Sequence, residues 1–130
     1  MKKFRIDAAV RRHFEYDLFR GGDVMHQPLV EAETLDGAAP TVRVQIVAFP
    51  AGAYTRLHVH TVDQVLVVTE GEGRIGTLHE DHTVTPGDVL YIAAGEPHYH
   101  GATADTAMAH LSILTPGNSY AVDEPWTWPG

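Results

Sequence analysis

Six of the chain's nine histidines fall between residues 58 and 100. Four of those form two pairs, His58/His60 and His98/His100, with one residue between the members of each. Residues at that spacing on a β-strand share a face, so each pair presents two imidazoles to one point. Imidazole nitrogen suits divalent first-row metal ions. The chain has no cysteine, so a metal site must draw on His, Asp, Glu, Gln or Asn. In the stretch "HVHTVDQ" (58–64), Gln64 follows His60 across the three residues "TVD". A three-residue hairpin loop there is expected to set His60 directly opposite Gln64, with Cβ atoms about 4.5–5.5 Å apart. His58, His60 and Gln64 then converge on a point where a small ion binds at about 2.0–2.2 Å. In the alternative, Gln64 is a turn or strand-start residue and a water takes its place. A second hairpin, centred on Ala104, is expected to pair His98 with His110 on one face, a parity that a one-residue slip would reverse.

Strands have to position these residues. "TVRVQIVAF" (41–49) alternates, with Val42, Val44, Ile46 and Ala48 on one face and Arg43 and Gln45 on the other. Solvent is the default surrounding for Arg43, Gln45 and Arg56, although a barrel with both faces occupied could turn one of them into the lumen. Further strands read at 54–60, 64–70, 74–78, 83–93 (with a Pro-Gly turn inside) and 106–114. Turn signals recur every 8 to 12 residues, the pattern of an antiparallel sandwich or barrel. Residues 8–20 read as a short helix or an irregular lead-in. Residues 23–34 read as an edge strand interrupted by Pro28, and the tail 115–130 as irregular, with Trp126 and Trp128 packed on the body or on a partner. The expected organisation is one domain over 1–130, with a core at 40–115 and arms at 1–39 and 116–130.

Composition narrows the function. A chain of 130 residues, 44% hydrophobic, can bury a core without staples. A formal charge of −8 argues against nucleic acid and anionic membranes as partners. No apolar run approaches the roughly 20 residues of a membrane span, and the basic start lacks the apolar region of a secretory signal, so the expected compartment is the cytoplasm. There is no paired Asp/Glu constellation, Gly-rich phosphate loop or serine nucleophile elbow, which leaves glycoside hydrolysis and nucleotide chemistry unsupported. His79 and His82, beside Glu80 and Asp81, read as a solvated hairpin tip, and His13 and His26 receive no role.

The spacing "GAYTRLHVHTVDQVLVVTEG" (52–71) resembles the first cupin motif, G-x5-H-x-H-x3-E-x6-G, with Gln64 in place of the glutamate. "GDVLYIAAGEPHYHGA" (87–102) resembles the second, G-x5-P-x-G-x2-H-x3-N, at Gly87, Gly95 and His98, with Ala93 and Ala102 replacing the Pro and Asn. The resemblance implies an all-β, antiparallel, jelly-roll-like cupin barrel that forms a homodimer. It makes His58, His60 and His98 metal ligands and puts Gln64 in the fourth ligand position. The "HxH-x3-Q" pattern, "GEPHYHGA" and "TAMAHLSI" are further similar to small manganese cupins that act as bacterial hydroxynitrile lyases, in which His100 and His110 match histidines lining the pocket. The implied cofactor is one divalent transition metal, manganese first, with Fe, Ni, Zn or Cu also suited.

Three neutral imidazoles and a neutral amide leave the charge of a divalent ion uncompensated, which favours Lewis-acid chemistry on a small oxygenated substrate, with His110 or His100 moving the proton. The expected function is a metal-dependent enzyme of that type, possible C–C cleavage of the hydroxynitrile-lyase kind included. A dioxygenase and a non-catalytic metal- or small-molecule-binding cupin are the alternatives. In the bland reading, His58, His60 and His98 are satisfied polar groups of a cupin without metal, and His100 and His110 are buried strand histidines bonded to backbone.

Overall fold

Runs of β-branched residues with period-two alternation become strands along most of the chain. The computed structural model, which describes residues 1–130, arranges them in two antiparallel sheets. The first sheet has the order β1 (Arg12–His13), β3 (Met25–Val30), β4 (Arg43–Phe49), β12 (Met108–Leu114), β7 (Gln64–Gly71) and β10 (Val89–Ile92). The second runs β13 (Ser119–Ala121), β6 (His58–His60), β11 (His98–Ala102), β5 (Tyr54–Thr55) and β2 (Phe19–Arg20); β8 (Gly73–Thr77) pairs with β11, and β9 (Asp81–Val84) with β8. The helical content is two single 3-10 turns, Ala8–Val10 and Ala32–Thr34. No helix is long and apolar enough to cross a membrane. The fold is the all-β, jelly-roll-like barrel expected from the motif spacing.

The two sheets face each other over a core that includes Val47, Phe49, Leu66, Val68, Ile75 and Met108. Full burial of each such side chain contributes about 1.5–3 kcal/mol. A smaller apolar cluster, Leu29, Ile46 and Ala109, lies apart from it, with Val44, Ala48 and Leu111 packed against it. The face of β4 that holds Val44, Ile46 and Ala48 therefore belongs to this outer cluster, and Arg43, Gln45 and Val47 turn into the barrel. The default of solvent for Arg43 and Gln45 gives way to the lumen alternative, for both residues: around β4 and β12 the outer face of the sheet carries its own apolar cluster, so hydrophobicity does not mark the lumen side there. The N-terminal segment is fastened to this sheet through the buried amide of Gln27. Its Oε1 accepts from the Asp7 backbone N–H at 2.9 Å, and its Nε2 donates to the Arg5 carbonyl at 2.8 Å. Both chain ends supply strands to the barrel wall that the 40–115 core begins.

Neither expected hairpin forms. His60 pairs with Ser119, while Gln64 pairs with Ile92 and Leu114. His98 pairs with His58 and Thr77, and His110 with Val47 and Val68. The segments 61–63 and 103–107 are crossings between sheets, which lie roughly 10 Å apart in stacked arrangements. Bonds to other segments hold the first crossing in place. The Thr61 N–H donates to the Asn118 carbonyl at 2.9 Å, and the Asp63 carboxylate accepts from the Ala94 N–H at 2.8 Å and the Tyr91 hydroxyl at 3.0 Å. At the second crossing, Gly71 has φ +73°, and a Cβ there would collide with the Ala107 carbonyl, so the tight passage requires glycine.

The edge-strand reading of 23–34 holds in part. Pro28 sits at a register shift in β3, with the two-residue β1 beyond it. The tail packs on the body, Trp128 stacking on Tyr54 with centroids 4.8 Å apart and Trp126 lying against Tyr99 at 5.1 Å.

Candidate metal centre

Because the connections cross the barrel, residues far apart in sequence meet in its interior. The second sheet contributes His58, His60 and His98, whose ligand atoms all lie within 4.8 Å of one another. The ring centroids of His58 and His98 are 4.2 Å apart, and each lies 5.1 Å from His60. His58 and His98 are each 1% exposed; His60 is half-buried. The backbone fixes two of the three tautomers. His58 Nδ1–H donates to the Arg56 carbonyl at 2.7 Å and His98 Nδ1–H to the Glu96 carbonyl at 2.9 Å. In both rings the lone pair is thereby left on Nε2, the arrangement that metal-binding imidazoles adopt. The Nε2 atoms of His60 and His98 are buried without a hydrogen-bond partner. Buried polar atoms without a partner are costly unless something binds them, and the group of three fits a metal ion.

The first sheet supplies the facing wall. Gln64 is 4% exposed. Its Nε2 donates to Ser112 Oγ at 2.9 Å, which orients the amide and leaves Oε1 buried and unpartnered. The search for ligands in the sequence missed Ser112. The signal for it was parity, since Ser112 follows His110 by two residues and therefore shares its face. His110 is fully buried, and its Nε2 lies 2.9 Å from His100 Nδ1, so the two imidazoles share one proton in a hydrogen bond. The His100 backbone N–H donates to Thr55 Oγ1 at 3.1 Å, which holds β11 against β5.

His58, His60, Gln64, His100 and His110 line a common cavity of about 230 Å³, somewhat below the roughly 300–1,000 Å³ of drug-sized sites. His98 is not part of its wall. The pairing register stacks the first-sheet wall in rows: Val47, His110 and Val68, then Gln45, Ser112 and Leu66, then Arg43, Leu114 and Gln64. The other histidines stay outside this group. His82 pairs with Glu80 at 2.8 Å on the exposed tip, His13 sits between Asp23 and Glu15, and His26 bonds to Gln45.

Burial sets the charge state of the histidine group. It pushes His98 and His110 down to about 4 and His58 and His100 well below the usual imidazole value, with neighbouring imidazoles adding to the shift at His58 and His100. Burial also lowers His60, against a weak opposing pull from the Gln64 amide. These groups therefore fold in their neutral forms. Above pH 6.5 the folded and unfolded chains both hold them uncharged. Between pH 6.5 and about 4 the unfolded chain takes up protons that the folded chain refuses, so stability falls with pH over that window. At about 1.4 kcal/mol per tenfold difference in proton affinity, His98 and His110 make the loss several kcal/mol. The metal-free protein is expected to melt at progressively lower temperature from pH 7 to pH 4.5. A melting temperature that stays level over that range would contradict the neutral burial of this cluster.

The cupin domain family matches residues 45–122, which include His58, His60, Gln64, His98, His100 and His110. Over 81 residues the chain is 43% identical to an (R)-mandelonitrile lyase from Granulicella tundricola, a match that takes in 59% of this chain and 60% of that protein. A cupin-like protein from Thermotoga maritima superposes with a TM-score of 0.77 at 30% identity, covering 90% of this chain and 89% of its own. A polyketide cyclase from Streptomyces resistomycificus shares the fold, with a TM-score of 0.74 at 17% identity over 95% of this chain and 89% of the cyclase. The motif spacings, the two-sheet barrel and the convergent histidines thus agree with the family match, and the chain belongs to the cupin family.

Proposed function

We infer that this cupin is a metal-dependent enzyme that works on a small oxygenated substrate, and that cleavage of a cyanohydrin to an aldehyde and hydrogen cyanide is the reaction it fits best. The supporting observation is the pairing of two arrangements: the ligand atoms of His58, His60 and His98 gathered within 4.8 Å of one another, and a neutral, proton-sharing His100–His110 pair that lines the same cavity as His58 and His60. The mandelonitrile lyase relative points to the same chemistry. His58, His60, His98 and Gln64 would hold one divalent transition metal ion, manganese by preference, with Fe, Ni, Zn or Cu also suited to these donors. Such an ion supplies Lewis acidity to a substrate oxygen.

The rest is the work of the chain. Gln64 contributes a neutral oxygen where a glutamate would contribute charge, and Ser112 keeps that oxygen turned toward the histidines. The His100–His110 pair takes the proton from the cyanohydrin hydroxyl. The oxygen lone pair then forms the carbonyl, the bond to the nitrile carbon breaks, and cyanide leaves with the electron pair. The same imidazole returns the proton to cyanide. An imidazolium in this apolar setting is a ready acid, which suits the second transfer. Phe14, Phe19, Val47 and Leu114 supply the apolar part of the cavity wall around that step.

Turnover of mandelonitrile to benzaldehyde and cyanide by the manganese-loaded protein tests the reading; equal activity after exhaustive chelation would overturn it. Uptake of molecular oxygen with aromatic or alkene substrates would instead favour a dioxygenase. A cavity of about 230 Å³ beside the histidines supports turnover over simple metal storage. Gln64→Ala is expected to lose metal on dialysis against a chelator, and Ser112→Ala to do so more weakly, by roughly 10- to 100-fold in affinity as for other partners of metal ligands. Metal content that stays unchanged in Gln64→Ala would remove Gln64 from the ligand set. The expected homodimer belongs to the same proposal, and sedimentation tests it.

A further inference from the structure

Two side chains on β4, Arg43 and Gln45, face the same cavity from successive rows of its wall. Each is held by a partner that takes up one specific part of it. Arg43 Nε donates to Glu31 Oε2 at 2.9 Å, and its two Nη groups make no hydrogen bond within the chain. Gln45 Oε1 accepts from His26 Nδ1 at 2.9 Å. The orientation of that imidazole is set in turn: Arg12 Nε donates to His26 Nε2 at 3.4 Å, and the ring stacks on Phe14 with centroids 4.1 Å apart. A donor at Nε2 requires the His26 proton to sit on Nδ1, so Gln45 must offer its oxygen to His26 and its NH2 elsewhere. That NH2 has no partner within the chain. The lumen side of β4 therefore presents two sets of free donors, the Nη groups of Arg43 and the NH2 of Gln45, at positions i and i+2, about 6.5–7 Å apart along the strand; Glu31, the one carboxylate on the cavity wall, is already engaged at Arg43 Nε.

Free donors recognise an acceptor, and a guanidinium with free Nη groups matches a carboxylate in geometry as well as charge. Arg43 and Gln64 both pair with Leu114, so they stand two strand spacings apart, about 9.5 Å between backbones. A small molecule can span that distance from β4 to the histidine cluster. We propose that the cavity selects a small organic acid, its carboxylate held by the Nη groups of Arg43 and the NH2 of Gln45 and its second oxygen directed toward His58 and His60. This rests on the cavity of the proposed function and goes beyond it: besides a cyanohydrin, the same cavity takes small hydroxy- or oxo-acids, bound through a carboxylate that a cyanohydrin lacks.

Calorimetric titration of the manganese-loaded protein with mandelate and with mandelamide tests it. The two probes share a skeleton and hydroxyl and differ in charge at one end. Wild type is expected to bind mandelate at least tenfold more tightly, Arg43→Gln to bind the two equally, and Arg43→Lys to keep part of the difference. Gln45→Leu should weaken mandelate binding several-fold, and His26→Phe should do the same in the wild type but add nothing in the Gln45→Leu background. Equal binding of acid and amide by wild type would overturn the proposal, as would a preference for mandelate that survives Arg43→Gln. The comparison within wild type stands even if a variant does not fold. Because the readout is binding, a protein that prefers mandelate yet never cleaves a cyanohydrin refutes the lyase reading and leaves this one in place.

Discussion

Replacing His58 with alanine is expected to abolish metal retention and, with it, all metal-dependent turnover. His58 is as enclosed as His98, at 1% exposed, and the centroids of His98, His60 and His100 lie 4.2, 5.1 and 5.3 Å from its own. Its tautomer is already fixed by the Arg56 carbonyl, so binding an ion requires no rearrangement of this residue. Loss of a partner one step removed from a metal typically weakens affinity 10- to 100-fold, and loss of a ligand that is itself preorganised should exceed the upper figure. Thermal denaturation gives a second measure. Wild type at a free metal concentration 1,000 times its dissociation constant gains about 4 kcal/mol from binding, seen as a melting temperature that rises on loading. The His58→Ala variant should melt at the same temperature with and without metal. A rise comparable to that of the wild type would show that the ion sits somewhere other than the His58/His60/His98 cluster.

The second large effect is expected at His110. His110→Phe keeps an aromatic ring of similar size in a fully buried place but removes the nitrogen that faces His100 at 2.9 Å. Loss of a positioned acid–base group costs roughly 10²–10⁴ in rate. Metal content should be unchanged, because His110 is not among the three clustered ligands and its Nε2 is taken up by the bond to His100. An unpaired buried nitrogen on His100 adds about 1–3 kcal/mol of destabilisation, so the rate should be compared at a temperature well below melting. His110→Gln, which can still bond to His100, separates the two roles: if it restores stability without restoring kcat, His110 handles the proton; if kcat returns with stability, His110 serves to position His100. Loss of metal in His110→Phe would contradict the division between ligands and proton carriers.

The fold was largely legible because it is written in short repeated signals: alternating strands, turns at regular intervals and the histidine spacings of both motifs. The partners of each strand were less legible. Period-two alternation says which side chains share a face, but a three-residue connection such as 61–63 serves equally as a hairpin loop or as a crossing between sheets. What decides is the set of bonds it makes to distant segments, here to Ala94, Tyr91 and Asn118. The expectation that Gln64 faces the histidines survives the error in pairing because both strands point inward from opposite walls. Ser112 was missed because serine on a strand carries no signal until its parity with His110 is considered. Arg43 and Gln45 were placed by default in solvent because the rule "apolar inside" fails for a sheet that packs on both sides, where Ile46 fills the outer cluster and the polar residues face the lumen.

His58, His60 and His98 all belong to one sheet, whereas Gln64 belongs to the other, and the chain crosses between the sheets within the three residues that separate His60 from Gln64. An ion held by all four would act as a clasp between the barrel's two halves. The closure would then be a matter of rate as much as of equilibrium: parting the sheets would require breaking a coordination bond, so the loaded barrel should breathe more slowly than the empty one even where their folded shapes coincide.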